Sequence, residues 1–230
     1  MESSDQKIVI VIPAYNEASI LEKVLLELNK HFSSDNIMVV DDGSVDATYS
    51  IAKKLNVHTL RHFINRGNGA ATKTGINYAF DNLKADAIVT FDADGQHDYH
   101  DVQNLIAPII NKEADVVIGS RFLEKQEIPL VRVVANWIAN FFTWLLFGLW
   151  VSDSQSGFKA ISRSAWQKIE FYGDRFEFCS EIIANIKKHR VRYKEIPIKV
   201  YYSQYSQSKG QSVVVGFKTL FRLIVNFLSK

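Results

Sequence analysis

Two acidic residues separated by one position, Asp92 and Asp94, follow a short apolar run in the segment FDADGQH. Hard oxygen ligands that converge in one loop suit Mg²⁺ or Mn²⁺. These ions usually keep several waters and bridge to the phosphates of a substrate. A D-x-D triplet alone is weak evidence, because acidic residues at strand ends are common as caps. Together with the companion segments below, it predicts a metal-dependent site for a phosphorylated substrate.

A second acidic segment, VVDDGSVD, places Asp41 and Asp42 at the end of another apolar run. We assign Ser44 and Asp46 to capping of the following helix, which leaves Asp41 and Asp42 free to hold a nucleobase N–H or a ribose hydroxyl. The segment NRGNG, residues 65–69, lets the backbone approach an anionic ligand at a helix N-terminus. A dinucleotide-binding Rossmann motif is excluded, because no G-x-G-x-x-G follows the first apolar run.

The elements that would position these residues alternate between strands and helices. Apolar runs predict strands at 7–12, 36–40, 57–60, 86–91 and 115–118. Helical spacing predicts a helix capped by Asn16, a second from Ser44, and two more at 69–83 and 99–110. The alternation predicts an α/β domain with a parallel sheet and helices on both faces, with ligands beyond the carboxyl ends of the strands.

Two apolar segments follow this alternating half. Residues 133–152 carry no charge and are long enough to span a bilayer, but Asn136, Asn140 and Thr143 form a polar stripe at helical spacing. We expect a helix, broken near Gly148, that packs on the domain or lies in a membrane interface. At 213–228 the polar residues again share one face, which predicts either an in-plane membrane helix or an amphipathic helix that closes the core.

Composition narrows the class of protein further. The 230 residues are 47% hydrophobic and 23% charged, which favours one large domain. Ten basic residues and one acid, Glu195, lie between 187 and 230, so this part should face nucleic acid, an anionic membrane surface or only solvent. No nucleic-acid-binding motif accompanies the charge. A single cysteine, Cys179, excludes a disulfide scaffold, and the polar start predicts no signal peptide.

The ordered set PAYNE, VVDDGSVDAT, NRGNGAATKTG and FDADGQH resembles the inverting family 2 glycosyltransferases of GT-A fold. The segments IGSRF and DSQSGFKA are similar to the branch that uses polyprenyl phosphate acceptors, the dolichyl-phosphate mannose synthase-like enzymes. The resemblance covers residues 7–165. It implies a GT-A catalytic domain at 1–211, a Rossmann-like mainly parallel sheet flanked by helices, which includes an amphipathic helical segment at 130–152. A C-terminal amphipathic membrane-interface helix at 212–230 would follow.

The resemblance also implies the residues of the site. Those around the nucleotide sugar would be Pro13, Tyr15, Glu17, Asp41, Asp42, Asn65, Arg66, Gly69, Asp92 and Ala93. The metal, Mg²⁺ or Mn²⁺, and the diphosphate would lie among Asp92, Asp94 and Gln96. Arg121 and Arg132 would face phosphate groups near the acceptor, because the guanidinium fork suits a phosphate oxyanion. His97 would orient the DADGQ loop rather than bind metal, and Asp94, Arg121, Arg132 and Asp153 would form the catalytic set.

The chemistry of inversion leaves the acceptor open. In-line attack at the anomeric carbon expels a nucleoside diphosphate, whose developing charge the metal and nearby cations offset. A lipid phosphate acceptor is already an anion and needs no base, whereas a hydroxyl acceptor needs a carboxylate, for which Asp153 and Glu181 are candidates.

We therefore favour transfer from a UDP- or GDP-linked sugar to a polyprenyl phosphate, with a hydroxyl on a glycan or glycolipid as the alternative. A nucleotidyltransferase would carry a basic glycine-rich loop in place of PAYNE, and a non-catalytic scaffold would not need an intact DADGQ segment. The expected partners are the nucleotide sugar, a lipid phosphate, the membrane surface and a separate membrane-anchoring subunit, with no nucleic acid. The expected location is peripheral, at the cytoplasmic face of a membrane.

Overall fold

The computed structural model describes residues 6–170 and 177–202. Within them, seven strands form one sheet in the order β3-β2-β1-β4-β6-β5-β7. The strands are β1 (Ile8–Ala14), β2 (Ile37–Asp41), β3 (His58–Arg61), β4 (Ala87–Thr90), β5 (Val116–Ser120), β6 (Lys159–Ser162) and β7 (Tyr193–Pro197). The predicted helix at 213–228 and the boundary predicted at 211 lie outside the described residues.

Helices join most of these strands. They are α1 (Ala18–Asn29), α2 (Thr48–Lys54), α3 (Asn68–Asp81), α4 (Asp101–Ile110), α5 (Leu130–Phe147), α6 (Arg163–Trp166) and α7 (Glu177–His189). The alternating half of the chain therefore has the α/β organisation that its periodicity predicts. No element was predicted in the part of the chain that contains β6, β7, α6 and α7.

The sheet separates two apolar cores, because successive side chains of a buried strand point to opposite faces. Ile10 and Ile12 of β1 lie in the same apolar core as residues of α1, α2 and α4, whereas Val9 and Val11 lie in the core that contains residues of α3 and α7. Both faces of the central strands are covered, which explains why β1 and β2 are continuous apolar runs rather than alternating ones.

One strand departs from the parallel sheet that the alternation predicts. β6 is antiparallel to both of its neighbours, β4 and β5, while the other strand pairs are parallel. The start of β6 consequently lies at the edge where its neighbours end. The segment DSQSGF, which precedes β6, is thereby brought to the edge that carries the DADGQ loop.

Asn16 and Ser44 do not cap the first two helices as predicted, whereas Asp46 Oδ1 does accept the Thr48 N–H at the start of α2. α1 begins after Glu17, and Asn16 takes a left-handed backbone conformation with φ 54°. Asn16 Oδ1 instead accepts the Val45 N–H at 2.9 Å. α2 begins at Thr48, and Ser44 Oγ accepts the Asn16 N–H at 2.9 Å rather than capping α2. These polar side chains join one loop to the other, because the two loops face each other at the ends of adjacent strands.

α5 is amphipathic with its polar side inward. Its buried residues are Asn136, Asn140 and Thr143, and it ends at Gly148, whose φ of 69° is left-handed. By length and composition alone, α5 could cross a membrane. Only 17% of the helix is buried, so it is not a core helix of the described domain. The apolar residues exposed along it are Leu130, Val131, Val134, Trp137, Ile138, Phe141, Trp144 and Leu145.

Candidate active site

The DADGQ loop follows β4 and carries two carboxylates with different surroundings. Asp92 Oδ2 lies 2.9 Å from His97 Nε2, and Asp94 Oδ1 accepts the Gln96 N–H at 3.0 Å. The His97 ring packs against Phe158, 4.4 Å away between ring centroids. His97 therefore holds Asp92 from inside the loop, in keeping with the orienting role expected from the sequence.

Burial and charge set the pKa values of the two carboxyls apart. Burial acts to raise the pKa of Asp92, but the hydrogen bond and charge of His97, with the charges of Lys159 and Arg121, lower it overall. Burial and the neighbouring charge of Asp92 raise the pKa of Asp94 to about 6. Removing Asp94 from water beside a second carboxylate is costly, and a divalent cation between the two would offset that cost.

A turn from the DSQSG segment supports Asp92 from behind. A Cβ on Gly157 would lie 2.7 Å from Asp92 Oδ2, so only glycine leaves room for the carboxylate. Thr90 Oγ1 donates to the Gly157 carbonyl at 2.5 Å, and Lys159 Nζ donates to the Ser156 carbonyl. Lys159 is 1% exposed, which is unusual for lysine. Its charge helps to lower the pKa of Asp92. Sequence reasoning missed Gly157 and Lys159; the only signal was their place in the DSQSGFKA motif.

The PAYNE loop is fastened to the loop after β2. Thr48 Oγ1 accepts the Glu17 N–H at 2.8 Å, and Asp46 Oδ2 accepts the Ala18 N–H at 3.1 Å. Asp46 Oδ1 also accepts the Thr48 N–H at the start of α2. Tyr15 remains 42% exposed beside this junction, where its ring is available to a ligand.

Asp42 holds the glycine-rich loop in place. Its carboxylate accepts the Arg66 N–H at 3.0 Å and the Gly67 N–H at 2.7 Å, and it pairs with His62 Nδ1 at 2.7 Å. Gly43 lies under the same loop, since a Cβ there would be 2.7 Å from the Ile64 backbone carbon. Asp42 is 2% exposed. Its described contacts thus position the loop, and a contact with base or ribose stays a prediction. His62 is a further residue that sequence reasoning missed.

Asp41 is fully buried and is held by protein groups as well. Its Oδ1 accepts the Ser44 N–H at 3.1 Å, and its Oδ2 lies 3.0 Å from Arg61 Nε. Asn65 and Arg66 project from the same edge and are exposed, whereas Gly69 is buried in the first turn of α3. The buried residues Pro13 and Ala93 complete the edge at the ends of β1 and β4.

Arg121 and Asp153, two residues predicted to belong to the catalytic set, bind each other. Arg121 donates to Asp153 from Nε and from Nη2 at 2.7 Å each, and from its backbone N–H at 3.1 Å. Asp153 is fully buried, and the Arg121 side chain is 17% exposed. Burial opposes the charged form of Arg121, but Asp153 raises the arginine pKa overall.

This pairing leaves Asp153 poorly placed to act as a general base, because both of its oxygens accept hydrogen bonds from a permanent cation. The other candidate base, Glu181 on α7, is buried, with 7% of its surface exposed. Arg132 lies near the start of α5, with its guanidinium carbon 5.9 Å from the centre of the Tyr202 ring. Tyr202 also contributes to the raised pKa of Arg121, so both arginines lie close to this aromatic side chain.

The donor set of the loop fits a magnesium or manganese ion that is shared with a phosphate. Within 6–170 and 177–202, no group of three or more histidine, cysteine or acidic side chains is arranged to enclose a metal. A site made of Asp92, Asp94 and the Gln96 amide would be completed by water and diphosphate oxygens, which is how these ions usually bind. The residues present therefore fit an ion that enters with its substrate.

Comparison with known proteins identifies the class to which this site belongs. Residues 9–170 match the model of the family described as glycosyl transferase family 2. The chain belongs to that family, and it is a glycosyltransferase.

Two relatives with named activities are similar to this chain over most of its length. The chain is 40% identical to the UDP-N-acetylglucosamine–dolichyl-phosphate N-acetylglucosaminyltransferase of Methanococcus voltae, over 99% of this chain and 98% of that protein. It is 29% identical to the polyprenol monophosphomannose synthase of Mycolicibacterium smegmatis, over 77% and 70% of the two chains.

A solved structure has the same fold. Glucosyl-3-phosphoglycerate synthase from Mycobacterium tuberculosis, in complex with Mn²⁺, uridine diphosphate and phosphoglyceric acid, superposes with a TM-score of 0.71 at 16% identity. The match covers 98% of this chain and 80% of that one. The GT-A-like arrangement of a mainly parallel sheet flanked by helices is thereby confirmed for the described residues.

Proposed function

We propose that this glycosyltransferase moves a sugar from a UDP-linked donor to a polyprenyl phosphate at a membrane surface, with inversion at the anomeric carbon. The observation that carries the proposal is the Arg121–Asp153 pair. It fixes a guanidinium near the acceptor side of the site and neutralises the carboxylate that a hydroxyl acceptor would need as a base. A phosphate acceptor needs a cationic partner and no base.

The donor would bind along the edge formed by the ends of β1, β2 and β4. The loop 65–67, held by Asp42, presents backbone and the Arg66 side chain to the nucleotide, while Tyr15 offers an exposed ring. Asp92, Asp94 and Gln96 would hold Mg²⁺ or Mn²⁺ against the diphosphate. A bound divalent ion stabilises the negative charge that develops on the leaving group. The M. voltae relative makes UDP-N-acetylglucosamine the first donor to test.

Lipid access would come through α5. Its outward face carries Trp137, Trp144 and neighbouring aliphatic residues, and exposed tryptophans beside an apolar stripe suit the membrane–water interface. Arg132, in the first turn of α5, would lie at the level of the lipid phosphates. The basic stretch from residue 187 onward would face an anionic leaflet, and this charge is the support for a peripheral location at the cytoplasmic surface as part of the proposal. A separate membrane-anchoring subunit remains a proposed partner.

The test is transfer to two acceptors that differ only in the phosphate. Purified protein with Mn²⁺ is given radiolabelled UDP-N-acetylglucosamine, UDP-glucose or GDP-mannose, together with vesicles that contain either dolichyl phosphate or dolichol. We expect label in the lipid extract only with dolichyl phosphate and a UDP-linked sugar. Transfer to dolichol, or to neither lipid, would overturn the proposal.

A further inference from the structure

The polar stripe of α5 contacts the segment that carries Asp153. Asn140 Nδ2 donates to the Ser152 carbonyl at 2.8 Å, and Asn140 Oδ1 accepts the Ser154 N–H at 2.8 Å. One side chain therefore binds the residues on both sides of Asp153. Asn140 is 5% exposed, so water does not compete strongly for these bonds.

The neighbouring asparagine makes a weaker attachment. Asn136, one turn earlier, donates to the same Ser152 carbonyl at 3.3 Å. Its buried Oδ1 accepts no hydrogen bond within the described part of the chain. Asn136 and Asn140 thus lie on the same face of one helix but differ in how firmly they hold the segment.

The segment 152–157 contacts both Arg121 and the acidic loop that carries Asp92. Its Asp153 binds Arg121, and its Gly157 packs against the Asp92 carboxylate. At its start, Ser152 donates from its N–H and its hydroxyl to Glu195 Oε1 of β7, at 2.7 and 2.6 Å. The sheet therefore fixes one end of the segment, and Asn140 fixes its middle.

We propose that Asn140 is a positioning residue that fixes the segment 152–154 and, through Asp153, the guanidinium of Arg121. The part that concerns the membrane rests on the proposed function: α5 would contact lipid with its outer face and set the acceptor site with its inner face. Membrane binding would then depend on the outer face of α5, and the position of Arg121 at the acceptor site on its inner face. Mutations on the two faces should therefore separate the two properties.

The expected size of the effect follows from geometry. Displacing a catalytic group by about 1 Å can cost about 10²-fold in rate even when the mutation lies away from the chemistry. Losing Asn140 leaves the buried Ser154 N–H without a partner and leaves the Ser152 carbonyl with only the 3.3 Å bond from Asn136, so the segment can regain full hydrogen bonding only by moving. The donor pocket at β1 and β2 has no contact with Asn140 among the bonds described, so donor binding should be spared.

The test compares Asn140→Leu with Asn136→Leu, a matched control on the same face of the helix. We expect Asn140→Leu to lower kcat/KM for polyprenyl phosphate by about 30- to 100-fold. UDP binding and sedimentation with vesicles should stay within about twofold of the parent. Asn136→Leu should stay within about threefold in every measurement. Asn140→Asp keeps the acceptor for the Ser154 N–H and replaces the leucine variant if that variant does not fold.

A second readout does not need the acceptor. The Arg121 Nε–H signal, assigned by its loss in Arg121→Lys, should exchange slowly with solvent in the parent and at least about tenfold faster in Asn140→Leu. Unchanged exchange and unchanged kcat/KM would overturn the inference, as would equal losses in Asn136→Leu. If the parent transfers no sugar to polyprenyl phosphate but Asn140→Leu still accelerates the exchange, the proposed function fails and the positioning role stands.

Discussion

Arg121 and Asp153, 32 residues apart in the chain, form a buried two-point ion pair at the sheet edge that carries the DADGQ loop, with both side-chain distances at 2.7 Å. A carboxylate bound in this way is a poor base, because accepting a proton would break its contact with the cation. The guanidinium keeps N–H groups that Asp153 does not use and can still face an anion.

Transfer should depend more on the arginine than on the aspartate. We expect Arg121→Ala to lower turnover by at least about 10²-fold, because the acceptor loses a cationic partner. Asp153→Asn keeps one oxygen for Arg121 and should cost less. Initial rates with saturating UDP-sugar measure both variants, and donor binding serves as the folding control. Abolished transfer in Asp153→Asn with a nearly silent Arg121→Ala would favour a hydroxyl acceptor.

The same pair should show strong non-additivity in stability. Removing one member of a buried ion pair typically costs about 3–5 kcal/mol, because the other charge is left without a partner. We expect Asp153→Leu to be strongly destabilised, and the double variant Arg121→Met/Asp153→Leu to be more stable than the sum of the single changes implies. Urea unfolding of the two single variants and the double variant measures the coupling. Additive losses would mean that the pair does not form in solution.

Asp94 should be required for sugar transfer but should lower the stability of the metal-free protein. Its pKa is raised to about 6, so ionised Asp94 destabilises the folded state above that pH. Asp94→Asn should therefore raise the melting temperature at pH 8, lose this gain as pH falls below about 4, and lower transfer by orders of magnitude. In the parent, metal activation should weaken as pH falls through about 6, because protonated Asp94 binds metal poorly.

Calorimetry at pH 8 and pH 4, with and without Mn²⁺ and UDP, separates these effects. Mn²⁺ with UDP should stabilise the parent and not Asp94→Asn. Full transfer by the variant, or full activity of the parent in excess EDTA, would contradict the metal role of this loop.

Gly157 should be sensitive to a single methyl group. In Gly157→Ala the added carbon would press on the Asp92 carboxylate, which lies 2.7 Å from its position. We expect transfer to fall at least about tenfold and the Mn²⁺ concentration for half-maximal activity to rise, because Asp92 must move.

The control for this change is Gly148→Ala at the end of α5. Its left-handed backbone makes alanine unfavourable by about 1–2 kcal/mol, but the nearest atom to the new methyl is Lys187 Cε at 3.9 Å. It should lose stability and keep its metal dependence. The same shift in metal dependence in both variants would show that the Gly157 effect is not local.

Exposed tryptophans should govern membrane contact. Trp137 is 62% exposed and Trp144 is 44% exposed on the outer face of α5. Changing both to Ser should weaken sedimentation with anionic vesicles while UDP binding stays unchanged, because both rings lie away from the buried polar stripe. If the parent fails to sediment at low salt, α5 is not a membrane-contacting helix.

Local patterns predicted the first half of the fold well because the information there is local. Buried strands such as β1 read as continuous apolar runs, and the side chains of α1 recur at helical spacing. β6 escaped prediction because four residues, KAIS, carry no periodicity of their own. The strand exists because its backbone completes the pairing between β4 and β5.

The sequence motifs predicted which types of residue lie in the candidate site, but they did not predict which of these residues bind each other. The acidic loop, the arginines and Asp153 stand out as motifs, but nothing local shows that Arg121 binds Asp153 or that Asp42 holds the backbone of residues 66 and 67. Lys159 runs against expectation, because a lysine is ordinarily assigned to the surface. The Ser156 carbonyl, three residues away, accepts a hydrogen bond from Lys159, but only the folded sheet brings Asp92 near its charge.

The reversed direction of β6 also offers a place for a spectroscopic label. The residues that follow this strand emerge at the sheet edge opposite the site, about 13 Å along a four-residue strand from Lys159. Gln167, just beyond α6, is exposed there. Burial raises the pKa of the natural thiol, Cys179, so that it should react slowly with maleimides. A fluorophore on Gln167→Cys would therefore report vesicle binding from a position remote from both the nucleotide and the acidic loop.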